Sequence, residues 1–298
     1  MSDVTVDLRI SPREIIGIFK PRIAFAIMLS ALGGLAIAPG PLPNAWQAAL
    51  VAIAVFLAAA SAGAFNQWAE SDLDAGMSRT AARPFASGRL EPNLAWLAII
   101  VFVLLAGVTL AAVAANMWAA FYTFAGAFTY GVVYTLWLKR RSSINIIIGG
   151  LAGSFAVLAG AATVTPELMM APVLLAIVLF LWTPPHFWSL AIAAGEDYAR
   201  NGVPMLPNVM GDRACAYVIL AHTVALTIVS ILPYLCGMGW IYLSFAVLGG
   251  TAFTFTSLRL VAATNKRRAI ENFLASLVHL LLLIGGIIVD RLVLSGAA

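Results

Sequence analysis

The chain has 298 residues, of which 62% are hydrophobic and 10% charged, against about a quarter charged in an ordinary soluble domain. That balance excludes a soluble enzyme and a disordered scaffold, and points to a protein built for lipid. The net charge of +4 follows from topology, as set out below, and calls for no nucleic-acid partner.

The first two dozen residues form a charged, amphipathic lead-in carrying Asp3, Asp7, Arg9, Arg13, Glu14, Lys20 and Arg22, without the pattern of a cleavable signal peptide. Residues 1–20 read as a cytoplasmic N-terminal arm. Apolar runs of spanning length follow near 21–38, 46–65, 94–115, 117–138, 144–164, 170–193, 215–236, 239–261 and 273–294. The expected fold is therefore all-α, a polytopic membrane bundle of about nine helices in a single domain over 1–298. Charge placement agrees. Of 17 Lys and Arg, 16 fall in the arm, the even-numbered loops or the helix ends beside them, and only Arg291 falls on the other side. The positive-inside rule then makes the N-terminus and long loops cytoplasmic and the C-terminus external. Asp290 beside Arg291 reads as an interfacial ion pair. Cys215 and Cys236 stand at opposite ends of one run, about 30 Å apart, and cannot bridge.

Three polar stretches interrupt this pattern. In the first, Asn66, Glu70 and Asp74 are spaced i, i+4, i+8, so a helix presents them on one face, and Arg79 and Arg83 follow one residue out of phase. Oxygen ligands followed by guanidinium groups suit a magnesium-bound diphosphate, because the cation bridges carboxylate and phosphate oxygens while arginine grips the remaining charge. A solvated, salt-bridged loop is the plainer reading. The second stretch runs from Trp182 through Pro184, Pro185 and His186 to Trp188, then from Glu196 to Pro207. Asp197 and Asn201 repeat the i, i+4 spacing with Arg200 between them, and a turn-rich connector is the alternative. In the third, Lys139-Arg140-Arg141 either anchors a helix end or brings Lys139 to the same diphosphate.

The run from Asn66 to Pro84 resembles the first aspartate-rich motif of the UbiA-type intramembrane prenyltransferases. Met77 to Pro84 with Ser87-Gly88-Arg89, Tyr134 to Arg140 with Asn145 to Gly150, and Trp182 to Trp188 with Asp197 to Pro207 are similar, in order, to the heme-farnesylating branch of that family. The resemblance spans roughly residues 15–295. It implies a nine-helix bundle around a central cavity open to lipid, in the bacterial inner membrane. It further implies Mg2+ bound by Asn66, Glu70, Asp74, Asp197 and Asn201. Farnesyl diphosphate and heme B are the implied substrates, with Asn66, Tyr134, Lys139, His186, Arg200 and the two arginines as contacts. The allylic cation needs dry aromatic walls, for which Trp68, Phe65, Tyr130, Tyr134, Phe187 and Trp188 are candidates.

His186, read at a helix break, contacts heme or caps a backbone carbonyl, while His222 and His279 read as packing. Three positions depart from the pattern: Glu70 where the family usually has aspartate, Asn201 where its quinone-type members carry a second aspartate though the heme-farnesylating branch also lacks an acid there, and Phe155-Ala156-Val157 where that branch usually has Phe-Pro-Pro. A quinone precursor as acceptor is the nearest rival, and a transporter is the rival of another class. Whether a heme A synthase or an oxidase assembly factor takes the product is open.

Overall fold

Asparagine side chains start three of the long helices: Asn44 accepts from the amide of Gln47, Asn93 from Trp96, and Asn116 from Trp118 and Ala119. Each satisfies amides that a helix N-terminus leaves orphaned. The computed structural model describes residues 10–296, with side chains through Val293; Asp3, Asp7 and Arg9 lie outside the described residues. It is helical throughout, in the order α1 (Pro12–Ile18), α2 (Pro21–Ile37), α3 (Ala45–Ala69), α4 (Ser71–Ala75), α5 (Leu94–Ala114), α6 (Met117–Phe128), a π-helical segment (Thr129–Leu138), α7 (Asn145–Gly149) and α8 (Leu151–Ala162). There follow α9 (Met170–Ala193), α10 (Gly195–Arg200), α11 (Leu206–Met210), α12 (Asp212–Ile231) with a 3-10 turn at Leu232–Cys236, α13 (Trp240–Ala262) and α14 (Lys266–Gly296).

Seven helices among the described residues are long and apolar enough to cross a membrane, or eight if α1 and α2, bent by 47°, form one broken span. The remaining expected run, 117–138, is continuous but divided between α6 and the π segment, so neither part reaches spanning length alone. The nine apolar runs thus each have a helical counterpart. Large side chains such as Phe102, Leu105 and Val113 stay exposed along α5, as expected of a face turned to lipid rather than water.

Contacts at the helix ends sort the loops into two sets. At one end, Asn116 Nδ2 donates to the Ala162 carbonyl and Gln47 Nε2 to Ala114, while Asp290 accepts from the amides of Gly239 and Tyr242 at 2.6 and 3.1 Å. Asp290 is thus an N-cap for α13 reached from α14. Arg291 donates to the Gly40 carbonyl instead, which corrects the expected Asp290–Arg291 pair. At the other end lie Lys20, the 66–93 segment, Lys139 and the 194–211 connector. Between the ends, bare backbone lets helices touch. A Cβ on Gly34 would sit 2.0 Å from the Val157 carbonyl oxygen, and one on Gly160 1.8 Å from that of Ala31, the small-residue contact typical of membrane helix pairs.

Candidate functional site

Glu70 closes α3 and opens α4, yet the i, i+4 register persists across that joint: the Glu70 amide donates to Asn66 and the Asp74 amide to Glu70. The three oxygen-bearing side chains therefore remain on one face. They are 3%, 1% and 3% exposed, which rules out the plain solvated loop. Glu70 Oε2 accepts from Asn66 Nδ2 at 2.8 Å and pairs with Lys139 Nζ. Asp74 Oδ2 pairs with Arg83 at 2.6 Å. Glu70 Oε1 is buried without a hydrogen-bond partner. Asp72 points off this face to a two-pronged pair with Arg140, at 2.7 and 2.9 Å, which holds its carboxyl below the ordinary carboxylate range.

The π segment brings a second wall to this face. Its side chains Tyr130 and Tyr134 stack 5.5 Å apart at 14°, Thr135 accepts from Asn66 Nδ2 at 3.0 Å, and Lys139 reaches Glu70 while lying 5.9 Å from the Tyr134 ring. The winding makes this possible. At about 100° per residue an α-helix would set Tyr130 and Lys139 on opposite sides; at about 82° per residue, the i→i+5 winding returns them to one side. The Lys139 amide donates to Tyr134, five residues back, at 2.9 Å.

Lys20 supplies a third approach. It is the one non-glycine with positive φ among the described residues (φ 47°), and its ammonium lies 2.5 Å from Asn66 Oδ1 and 3.4 Å from the Tyr130 hydroxyl. A left-handed lysine is uncommon and persists where its surroundings hold it.

The second polar stretch docks onto the first. Asp197 accepts from Ser78 at 2.5 Å and pairs with Arg200 at 2.7 Å, while Asn201 Nδ2 donates to the Gly76 carbonyl at 2.9 Å. Gly76 permits this approach, since a Cβ there would lie 1.8 Å from Asn201 Oδ1. Arg79 is exposed and makes no ion pair among those described.

His186 falls elsewhere. The α9 helix runs through Pro184 and Pro185 without a break, so the expected break is corrected. The Thr183 hydroxyl donates to the Leu179 carbonyl and the Ser189 hydroxyl to that of Pro185. The His186 ring stacks between Trp182 and Phe273 at 4.3 and 4.5 Å, and its Nδ1 meets Ser276 Oγ at 2.6 Å rather than a backbone carbonyl. His222 bonds the Val218 carbonyl of its own helix, and both His279 nitrogens are buried without a partner.

Of the expected residues, Asn66, Glu70, Asp74, Arg83, Lys139 and Tyr134 come together directly, with Asp197, Arg200 and Asn201 tied to their rim. Lys20, Ser78 and Thr135 went unmarked as site residues. In the sequence Lys20 reads as one more interfacial cation, and the spacing of Tyr130, Thr135 and Lys139 suits no α-helical face. No group of three or more His, Cys, Asp or Glu has metal-binding geometry among the described residues. A hard cation that keeps several waters and shares phosphate oxygens still fits the donors: carboxylate and amide oxygens, with Glu70 Oε1 unpaired.

A bundle of membrane-length helices closed at one end by a buried acid–base cluster defines an integral membrane protein with an internal polar site. The model of the UbiA prenyltransferase family matches residues 27–281, and the chain belongs to that family. It is 49% identical over 275 residues to protoheme IX farnesyltransferase 2 of Paramagnetospirillum magneticum, covering 92% of this chain and 96% of that one. With the protoheme IX farnesyltransferase of Gluconacetobacter diazotrophicus it shares 39% over 289 residues, covering 94% and 91%. The fold is similar to that of a digeranylgeranylglyceryl phosphate synthase, with TM-score 0.76 at 19% identity over 94% of this chain and 98% of that one. A UbiA homolog from Archaeoglobus fulgidus bound to DMAPP and Mg2+ gives 0.71 at 15%, covering 89% and 97%.

Proposed function

We propose that the protein transfers the farnesyl group of farnesyl diphosphate to a vinyl group of heme B, giving heme O and diphosphate. The observation that carries this reading is the 49% identity to a protoheme IX farnesyltransferase along nearly the whole of both chains. The polar end of the bundle has the chemistry the reaction asks for. Breaking the allylic C–O bond leaves the electron pair on diphosphate, and Arg79, Arg83 and Lys139 absorb that developing charge. Farnesyl C1 then bonds to the terminal vinyl carbon. A water hydroxyl adds to the neighbouring carbon and a proton is released, leaving a hydroxyethylfarnesyl side chain. The stacked Tyr130 and Tyr134 rings beside the acids offer π faces to the allylic cation.

Mg2+ is the cation these oxygens suit, with Glu70 and Asp74 as its main ligands, Asn66 beside them and Asp197 and Asn201 from the docked connector; when bound it supplies Lewis-acid neutralisation of the leaving group. Arg200, held on Asp197, orients that acid. The Trp182–Trp188 segment, with His186 in its aromatic stack, forms the acceptor wall. The polar end faces the cytoplasm of a bacterial inner membrane by the charge rule. Single cysteines at the exposed positions Asn44 and Ser87 test this: an impermeant label should reach the first from outside and the second only from the cytoplasm. The function is tested by mass spectrometry of hemes from membranes with and without the protein. Heme O should appear only with it, and equal heme profiles would refute the reading.

A further inference from the structure

Both acids of the Asn66–Asp74 face already hold cations of the chain itself. Lys139 pairs with Glu70 and Arg83 with Asp74, while Lys20 lies against Asn66. Lys20 feels the fields of Arg83, Lys139, Asp74 and Glu70 together, so these groups form one electrostatic cluster. Three basic side chains face two carboxylates, and the ligand face therefore carries no net negative charge. The two carboxylates are only 2% and 4% exposed, so water and salt screen the cluster weakly.

A divalent cation arriving alone finds only Glu70 Oε1 free, close beside the ammonium held on Oε2, and taking the whole carboxylate would leave that ammonium without a partner, an arrangement buried ion pairs resist strongly. A polyanion meets the reverse situation. Arg79 is exposed and unpaired by any described carboxylate, Arg83 and Lys139 can each trade a carboxylate for a phosphate oxygen, and Lys20 can trade the Asn66 amide oxygen. Lys139 is the pivotal group. It follows the last turn of the π segment and contacts the same carboxylate whose other oxygen, Oε1, is buried and free.

We propose that the site binds a diphosphate on its own but a divalent cation only together with it, because the anion draws Lys139 and Arg83 off Glu70 and Asp74 and so releases the metal ligands. The proposal rests on the functional reading above and adds to it a coupling between the two ligands. Linkage requires the coupling to be reciprocal: the anion raises metal affinity by the factor by which the metal raises anion affinity.

The test uses the full-length protein in detergent, with Mn2+ followed by electron paramagnetic resonance and inorganic pyrophosphate as the anion. Pyrophosphate in excess chelator should raise the melting temperature, since it binds the native state alone. Mn2+ without it should give little protein-bound signal, and adding pyrophosphate should tighten Mn2+ binding by about tenfold or more. In Lys139→Met, Mn2+ alone should bind about tenfold tighter than in the wild type, and the pyrophosphate effect should shrink correspondingly. Lys139→Arg should keep the wild-type pattern. Wild-type protein that binds Mn2+ equally well with and without pyrophosphate would overturn the coupling, even if Lys139→Met does not fold. So would an unchanged Mn2+ affinity in a folded Lys139→Met. Absence of pyrophosphate binding under every condition would instead refute the functional reading, and the coupling with it.

Discussion

The two ends of the bundle solve the same structural problem in opposite ways. At the end carrying Gly40, Asn116 and Asp290, side chains serve the backbone. Asparagine amides cap helices and bridge to neighbouring carbonyls, and buried Asp290 is used up by two amide donors of α13. At the end carrying Glu70, side chains mostly serve one another. Lys20 is left-handed, ten residues take a π winding, and Glu70 Oε1, Gln67 Oε1 and Asn145 Oδ1 are buried without partners. The first end is organised for stability, with Arg291 Nε its one buried orphan among the described side chains. The second retains strain and unmet bonding capacity, which persist where function requires them.

Exchanging charge at the two ends should therefore have unlike consequences. Glu70→Gln and Asp74→Asn keep size but remove ligand charge. Heme O formation per folded molecule should fall at least about a hundredfold, equivalent to about 2.7 kcal/mol, while the cation left unpaired, Lys139 or Arg83, also lowers the melting temperature. Near-normal turnover at limiting magnesium in both variants would break the comparison. Arg79→Lys keeps the charge and loses the two-pronged fork, so farnesyl diphosphate binding should weaken by about tenfold, about 1.4 kcal/mol; a titration should show heme binding unaltered.

Asp290→Ala probes the other end. Loss of the α13 cap should cost about 1–2 kcal/mol of stability, seen as a lower melting temperature with turnover per folded molecule unchanged. A loss of turnover without a loss of stability would show that the two ends are not so distinct. The smallest effect concerns the docked connector. The Ser78 hydroxyl, helped by Arg200, holds the Asp197 carboxyl below its usual range. The tie is therefore fully present above the ordinary carboxylate pKa and is lost only as pH falls through the lower folded value. Ser78→Ala should raise the pH at which acid opens the 194–211 segment to limited proteolysis.

The same contrast explains what could be read in the sequence. The spans were legible because apolar runs and the 16-to-1 charge split are long-range patterns that hydration enforces on every membrane helix. The Asn66–Glu70–Asp74 face was legible because i, i+4 spacing survives the joint between α3 and α4. The π segment was not, because an apolar run with Tyr130, Tyr134, Thr135 and Lys139 projects onto several α-helical faces, and the wider winding is set by packing against neighbouring helices, α3 among them. Lys20 was hidden for a related reason: beside Pro21 and Arg22 it looks like another interfacial cation, and the bend between α1 and α2 is what turns it inward. Pro184-Pro185 misled in the other direction, since a helix packed on several sides can keep its course through prolines. Asp290 and Arg291, adjacent in sequence, found other partners because an orphaned helix terminus binds a carboxylate more usefully than the neighbouring guanidinium does.

The central claim is that the polar end activates farnesyl diphosphate for transfer to heme, and one reconstitution tests it most directly. Purified protein is incubated with heme B, farnesyl diphosphate and Mg2+, and the tetrapyrroles are analysed by mass spectrometry. Formation of heme O, abolished by chelator and by Glu70→Gln, is the predicted result. No heme O, with prenylation of a quinone precursor under the same conditions, would contradict it.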